Sequence, residues 1–215
     1  MLNKRYRIII KSHTTDWGSI KKMTDKFVHK LFATPVFQFK VKDHEKLNSE
    51  LSKYIYDLYD KDKEGTQRSN VGGWHSKNFK IEKGNIPHNF INAVHGHVKE
   101  VMVEGFGWKY NPEKVGVTEI WGIINKKNSF NQIHNHPNTY LSAAYYVKAP
   151  DNCGSIQFYE PNEVKKFRHP VIEKNKELNS SGFSIKAVEG NLLIFPSYLY
   201  HSVGKNLSSQ DRIII

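Results

Sequence analysis

A single cysteine, Cys153, leaves no thiol for an internal disulfide. A fold held together by cross-links is thereby excluded, and a reducing cytosol is the expected compartment. No apolar run reaches the roughly 18 residues that a membrane span needs, so no membrane partner is expected. Acidic residues are comparatively scarce, with 21 Asp and Glu against 32 Lys and Arg, and the net charge is +11. Gathered on one face, that excess would attract polyanions. The lysines are instead scattered through the helical segments, the loops and the amino terminus, so nucleic-acid binding is not favoured. Residues 1–30 lack the apolar stretch of roughly 7–15 residues that marks a secretory signal. They read as a basic arm, or as upstream sequence before a second start at Met23. Homo-oligomerisation is left open.

What the chain does have is large, rigid core material: 4 Trp, 11 Tyr and 12 Phe in 215 residues. That length suits one ordinary domain, here 31–215 after the arm. Phe37, Phe39 and Val41 alternate with polar residues after Pro35, as a half-buried strand does. Asp43 can cap a helix in which Leu47, Leu51, Tyr54, Ile55, Leu58 and Tyr59 recur at helical spacing. The stretch from Lys61 to Gly73 is polar and reads as a loop. A second helix follows Asn85, with Pro87 near its first turn, an apolar stripe from Phe90 to Met102, and Gly105 near its end.

After about residue 114 the period changes from 3.6 to 2. Strand-like runs follow at Val115–Asn125, Phe130–His136, Tyr140–Lys148, Ser155–Glu160, Phe183–Val188, Asn191–Phe195, Tyr200–Gly204 and Arg212–Ile215. Helices first and then many short strands predict an α+β chain whose second half is closed or sandwiched β structure. The chain stops three residues after Arg212, so the last strand reads as cut short.

Most of the eleven histidines sit in polar or helical contexts that suit surface or capping groups. His134, His136 and His201 differ. In Gln132-Ile133-His134-Asn135-His136 a regular strand would put residues 132, 134 and 136 on one face, two imidazoles side by side. A lone His-x-His is weak evidence for a metal. The run Gly190-Asn-Leu-Leu-Ile-Phe-Pro196 followed by His201 adds a turn, an apolar strand, a corner and a third imidazole that a folded-back sheet can bring to the first two. Three ligands on one side of iron leave positions for O2 and a co-substrate. Arg212, 11 residues beyond His201, offers a planar fork of donors that grips a carboxylate.

These residues carry a resemblance. The segments from Trp121 through His134-Asn-His136-Pro137, Leu141-Ser142-Ala-Ala-Tyr145-Tyr146-Val147 and Gly154-Ser-Ile-Gln-Phe158-Tyr-Glu-Pro161 to Gly190–Pro196, His201 and Arg212 resemble the 2-oxoglutarate and Fe(II)-dependent oxygenase superfamily. More narrowly they are similar to oxygenases common in marine bacteria and their phages, which share the Leu31-Phe-Ala-Thr-Pro35-Val opening and the Gly72-Gly73-Trp74-His75-Ser76 segment. The resemblance covers about residues 31–215. It implies a double-stranded β-helix, or jelly roll, with N-terminal helices packed on one side. It implies a dioxygenase that uses Fe(II), 2-oxoglutarate and O2 to hydroxylate a small molecule or a protein side chain, with no catalytic group beyond the metal centre. His134, His136 and His201 would be the ligands and Arg212 the anchor for the co-substrate. By the match to prolyl-hydroxylase-like enzymes Tyr146 would support the same carboxylate, with Ser142 on the same strand face. Gln132, Trp74 and His75 are candidates for orienting a ligand or touching substrate, the last two on a loop that closes the pocket.

One departure matters. The superfamily usually carries His-x-Asp or His-x-Glu where this chain has His136 second, and Glu160 is the nearby acidic residue that could serve instead. Two other classes stay open: a cupin-like isomerase or dioxygenase, which lacks here its usual Glu after the second His, and a non-enzymatic jelly-roll protein that binds or builds. The substrate is not legible, because the loops expected to read it are polar and unpatterned.

Overall fold

Beta-branched and aromatic residues concentrated after residue 114 form antiparallel strands in the computed structural model, which describes residues 31–167, 171–174, 176 and 178–215. The expected basic arm, 1–30, lies outside the described residues. Strand β1 (Phe37–Lys40) precedes helix α1 (His44–Lys61), two short strands β2 (Asn70–Val71) and β3 (Trp74–His75), and helix α2 (Ile86–Glu100). A wide π-helical turn, Val101–Gly105, prolongs α2. Then come β4 (Ile123–Asn125), β5 (Phe130–His134), β6 (Leu141–Lys148), β7 (Ser155–Tyr159), the short helix α3 (Glu163–Phe167), β8 (Gly182–Lys186), β9 (Asn191–Pro196), β10 (His201–Val203) and β11 (Arg212–Ile214).

The strands make two sheets, one ordered β1-β9-β6-β11-β4-β3 and the other β2-β5-β10-β7-β8. From β4 onward the chain passes back and forth between them except at β7 and β8, which are neighbours in the second sheet, and every pairing is antiparallel. This is the double-stranded β-helix. Thr34–Ile215 form one compact unit.

Its two cores follow from the period of 2 along the strands. Tyr145, Val147, Leu192, Ile194 and Ile213 point outward from the six-stranded sheet and are covered by Leu51 and Ile55 of α1 and Phe90 and Val94 of α2. Their neighbours Tyr146, Leu193, Phe195 and Ile214 point inward and meet Ile156, Phe158 and Val203 of the other sheet. Strand β9 is buried at all six positions because it is covered on both faces. Gly190 makes its entry turn at φ +73°, where a β-carbon would sit 2.1 Å from the His44 ring.

Several expectations need correction. The run from Val115 contributes only Ile123–Asn125 as strand, since its earlier residues pair with no neighbour in a ladder. Asp43 does begin α1, but at φ +50° and without a side-chain capping bond. Asn85 is the real cap, accepting from the His88 N–H of α2. The polar stretch read as a loop hides β2, a two-residue strand too short for periodicity to register.

Candidate metal centre and co-substrate pocket

His134 closes β5 and His201 opens β10, and the two are directly paired across the ladder. The regular strand expected over 130–136 is not what brings His136 to them. Strand β5 stops at His134, and the ladder shifts register between the His201 and Val203 pairings, so that three steps on β5 oppose two on β10. His136 lies beyond the strand, where its backbone N–H donates to the Ser197 carbonyl at 3.0 Å. The outcome is a tight group: the ligating nitrogens of His134, His136 and His201 all lie within 4.8 Å of one another. Metal–nitrogen bonds of about 2.0–2.1 Å are reached from there by small side-chain adjustments.

Two of the rings are already aimed. The Nδ1–H of His134 is 2.7 Å from the Gln132 carbonyl and that of His201 is 2.9 Å from the Leu199 carbonyl. Donation there fixes the tautomer and turns each Nε2 lone pair into the cluster, as outer partners do at metal sites. All three rings are neutral in the metal-free protein. Burial, with the neighbouring imidazoles, pulls His136 down to about 4 and His201 to about 3, and burial lowers His134 as well. Neutral imidazole is the ligating form. Among the described residues no carboxylate joins the group. Glu160 accepts from the Asn162 N–H and pairs with Lys165 at 3.0 Å.

The second cluster lies deeper. Arg212 is fully buried, and its Nη1 donates to the carbonyls of Cys153 and Gly204. Gly154, at φ +86°, permits this close approach, since a β-carbon there would stand 2.8 Å from Nη1. Among the described residues the Nε and Nη2 atoms have no partner, and no acidic side chain pairs with Arg212. The Tyr146 hydroxyl is also buried and, among the described residues, unpartnered, and burial raises its phenol so that it remains a donor. A buried cation without a counter-charge is costly, so this group fits an anionic ligand. Gly204 is three residues from His201 along β10, roughly 10 Å at strand rise.

Other expected residues are placed variously. Ser142 shares the inner face but lies four residues, roughly 13 Å, from Tyr146 along β6, in a hydroxyl chain with Ser197 and Thr139. The Gln132 side chain is exposed, and its contribution is the carbonyl that orients His134. Trp74 does not line a lid: it is buried in the outer core, with Nε1 donating to the Asp62 carbonyl at 2.7 Å. His75 is buried and stacks on Trp121, whose ring centroid is 5.7 Å from that of His136. Trp121 and Ser69, whose hydroxyl is 3.4 Å from His134 Nε2, were not singled out as wall residues. On the outward flank of His136 opens a cavity of about 290 Å³ lined by Trp108, Tyr140, Pro196 and Tyr198, with no charged residue in its wall.

Residues 119–215, which hold both clusters, match the family model described as "Putative 2OG-Fe(II) oxygenase". That part of the chain is similar to the 2OG-Fe(II) oxygenases. The fold of the chain is shared with solved structures at low identity. A prolyl-4-hydroxylase from Pseudomonas putida is 12% identical, with a TM-score of 0.58 over 84% of this chain and 89% of that one. HygX from Streptomyces hygroscopicus, solved with nickel, 2-oxoglutarate and hygromycin B, is 11% identical, with a TM-score of 0.57 over 84% and 80%. SnoN, a non-haem α-ketoglutarate-dependent epimerase from nogalamycin biosynthesis, is 11% identical, with a TM-score of 0.57 over 84% and 74%. No curated protein matches by sequence.

Proposed function

We propose that the oxygenase holds one Fe(II) on His134, His136 and His201, anchors the far carboxylate of 2-oxoglutarate on Arg212 and Tyr146, and hydroxylates its substrate. The observation that carries this reading is the unpaired guanidinium of Arg212 in the same barrel as three converging imidazoles. The strand spacing between them suits a five-carbon dicarboxylate. Iron held there together with 2-oxoglutarate would activate O2 as the oxidant, one oxygen atom going to succinate as 2-oxoglutarate loses CO2 and the other to the substrate. The chain's own work is to aim the ligating nitrogens, to hold the co-substrate at its far end by a two-pronged contact, and to keep that contact away from water. Substrate then approaches the flank of His136, where the uncharged aromatic cavity suits a neutral group. The reducing compartment expected from the lone Cys153 is compatible with Fe(II).

A second reading, an oxidation without hydroxylation, draws on His136 itself. Three neutral ligands leave more positive charge on the metal than two imidazoles and a carboxylate would, and the neighbours of this fold include an epimerase. One experiment separates the readings. The full chain is loaded with Fe(II) without oxygen, given 2-oxoglutarate and metabolite or peptide pools, and exposed to O2. Succinate together with a product 16 mass units heavier supports hydroxylation; succinate with an isomerised or dehydrogenated product supports the second reading. Stoichiometric Fe(II) without any succinate sinks both.

A further inference from the structure

Asn125 ends β4 and is fully buried, yet among the described residues neither its amide nitrogen nor its amide oxygen has a hydrogen-bond partner. Buried amides are ordinarily satisfied, so an amide open at both ends needs an explanation. Its position supplies one. Asn125 is the direct cross-strand partner of Arg212 in the antiparallel ladder, so the two side chains leave the same face of the sheet about 5 Å apart. That face is the barrel interior, because Ile214, two residues after Arg212, belongs to the inner core.

The site is rigidly built. The Asn125 carbonyl accepts from the Asn206 side chain at 2.8 Å, and Gly73 brings its backbone so close that a β-carbon would meet Asn125 Nδ2 at 2.8 Å. Asn131, the other inward asparagine with an unpaired atom, already commits its nitrogen to Ser69 Oγ at 3.1 Å. Asn125 alone among them keeps donor and acceptor both free.

We infer that Asn125 is a co-substrate-binding residue that, with Arg212 and Tyr146, selects a 2-oxo acid carrying a second carboxylate. This rests on the oxygenase reading above. Hydrogen-bond counting supports it. The free Nε and Nη2 of Arg212 carry three N–H donors, and a carboxylate gripped by the fork takes two of them. The third matches the Asn125 oxygen, while the Asn125 nitrogen donates to the carboxylate from the side of β4. Every atom left unpaired in this corner then has a partner once the dicarboxylate is bound.

The test uses the full chain loaded with Ni(II), which binds imidazole without turning over, and titrates two probes of equal length: 2-oxoglutarate and 2-oxopentanoate, whose far end is a methyl group. Asn125→Ala should weaken 2-oxoglutarate binding tenfold to a hundredfold, as expected for losing a hydrogen bond to a charged group. Asn125→Asp sets a carboxylate against a carboxylate and should weaken it further. Both variants should bind Ni(II) and 2-oxopentanoate within about threefold of the unaltered protein, which also shows that they fold. If Asn125→Asp does not fold, the Asn125→Ala values decide. Unchanged 2-oxoglutarate affinity in a folded variant, or an equal loss for both probes, overturns the inference. Failure of the unaltered protein to bind 2-oxoglutarate overturns the oxygenase reading beneath it.

Discussion

The outer and inner faces of the six-stranded sheet treat adjacent residues in opposite ways. Tyr145 faces out, packs on Phe90 of α2, and donates its hydroxyl to Asn48 of α1 at 2.6 Å. Tyr146, the next residue, faces in, and its equally buried hydroxyl meets no partner. Ile213 packs outward against the helices while Arg212 places an unpaired guanidinium inside. The outer face is finished by the chain itself, whereas the inner face is arranged for something the chain does not contain. Unsatisfied polar atoms gathered toward the barrel interior fit the binding of a ligand there.

The sharpest way to break this contrast is at the metal cluster. Changing His134, His136 or His201 to Ala should remove stoichiometric metal altogether and leave the far-ultraviolet circular dichroism and the melting transition of the metal-free protein nearly unchanged. Full metal binding in any one of the three variants would detach that residue from the site. His136→Asp should retain metal, because a carboxylate restores the commoner ligand set.

Next in size is Arg212→Ala, which should cost about 2–5 kcal/mol of 2-oxoglutarate binding, roughly 30-fold or more, because the far carboxylate is left buried and unpaired. Metal affinity should hold. Lys should rescue the loss only in part, since a point charge cannot reproduce the fork. Unaltered co-substrate titration on Arg212→Ala would move the anchor elsewhere and revive the cupin reading.

Acid tests the barrel interior without mutation. His136 and His201 titrate near 4 and near 3 in the folded, metal-free chain against 6.5 for an ordinary imidazole. Between those values the unfolded chain binds more protons, so stability increases with pH through that window and declines as pH falls from about 6.5. The decline at pH 5 should be on the order of 2 kcal/mol after allowing for solvent screening at His136. The loaded protein should shed metal over the same range. A melting temperature that is flat from pH 7 to pH 5 in chelator would contradict the neutral cluster.

The smallest effects come from the paired tyrosines. Tyr145→Phe leaves the Asn48 amide oxygen without its donor and should cost about 1–2 kcal/mol in urea unfolding while leaving 2-oxoglutarate affinity alone. Tyr146→Phe should do the reverse, with stability within about 0.5 kcal/mol and co-substrate binding weaker by about tenfold. Equal behaviour of the two variants would erase the distinction between the faces.

Much of this was legible beforehand, for physical reasons that differ from residue to residue. The helices were visible because their stripes obey the 3.6 period, and β9 because an apolar run bounded by Gly190 and Pro196 has few other uses. The histidine group is legible by type and order, though not in the way its members come together. Alternation alone cannot foresee that the ladder slips beside His134 and that His136 works from beyond the strand end. Trp74 was misjudged because a Gly-rich neighbourhood suggests a loop, whereas the indole fills the outer core. Asn125 escaped notice because a polar residue at the end of a short strand looks like the start of a turn. Only its register with Arg212 gives it meaning, and register is not written in a single sequence.

The short segment Asn70–His75 has a consequence for how the chain can be divided. Its first strand pairs with β5 and its second with β4, so six residues stitch the rims of both sheets, while β1 borders β9 at the far side. A fragment cut to the family-matched residues, 119–215, would lose all three of these strands and both long helices. It would expose three open ladder edges and the apolar outer face that α1 and α2 cover, a surface made for chain-to-chain association. Expressed alone it should collect in aggregates even though it holds all three clustered histidines and Arg212. The boundary of ancestry therefore falls inside the boundary of folding, and any shortened version of the oxygenase has to begin before Phe37.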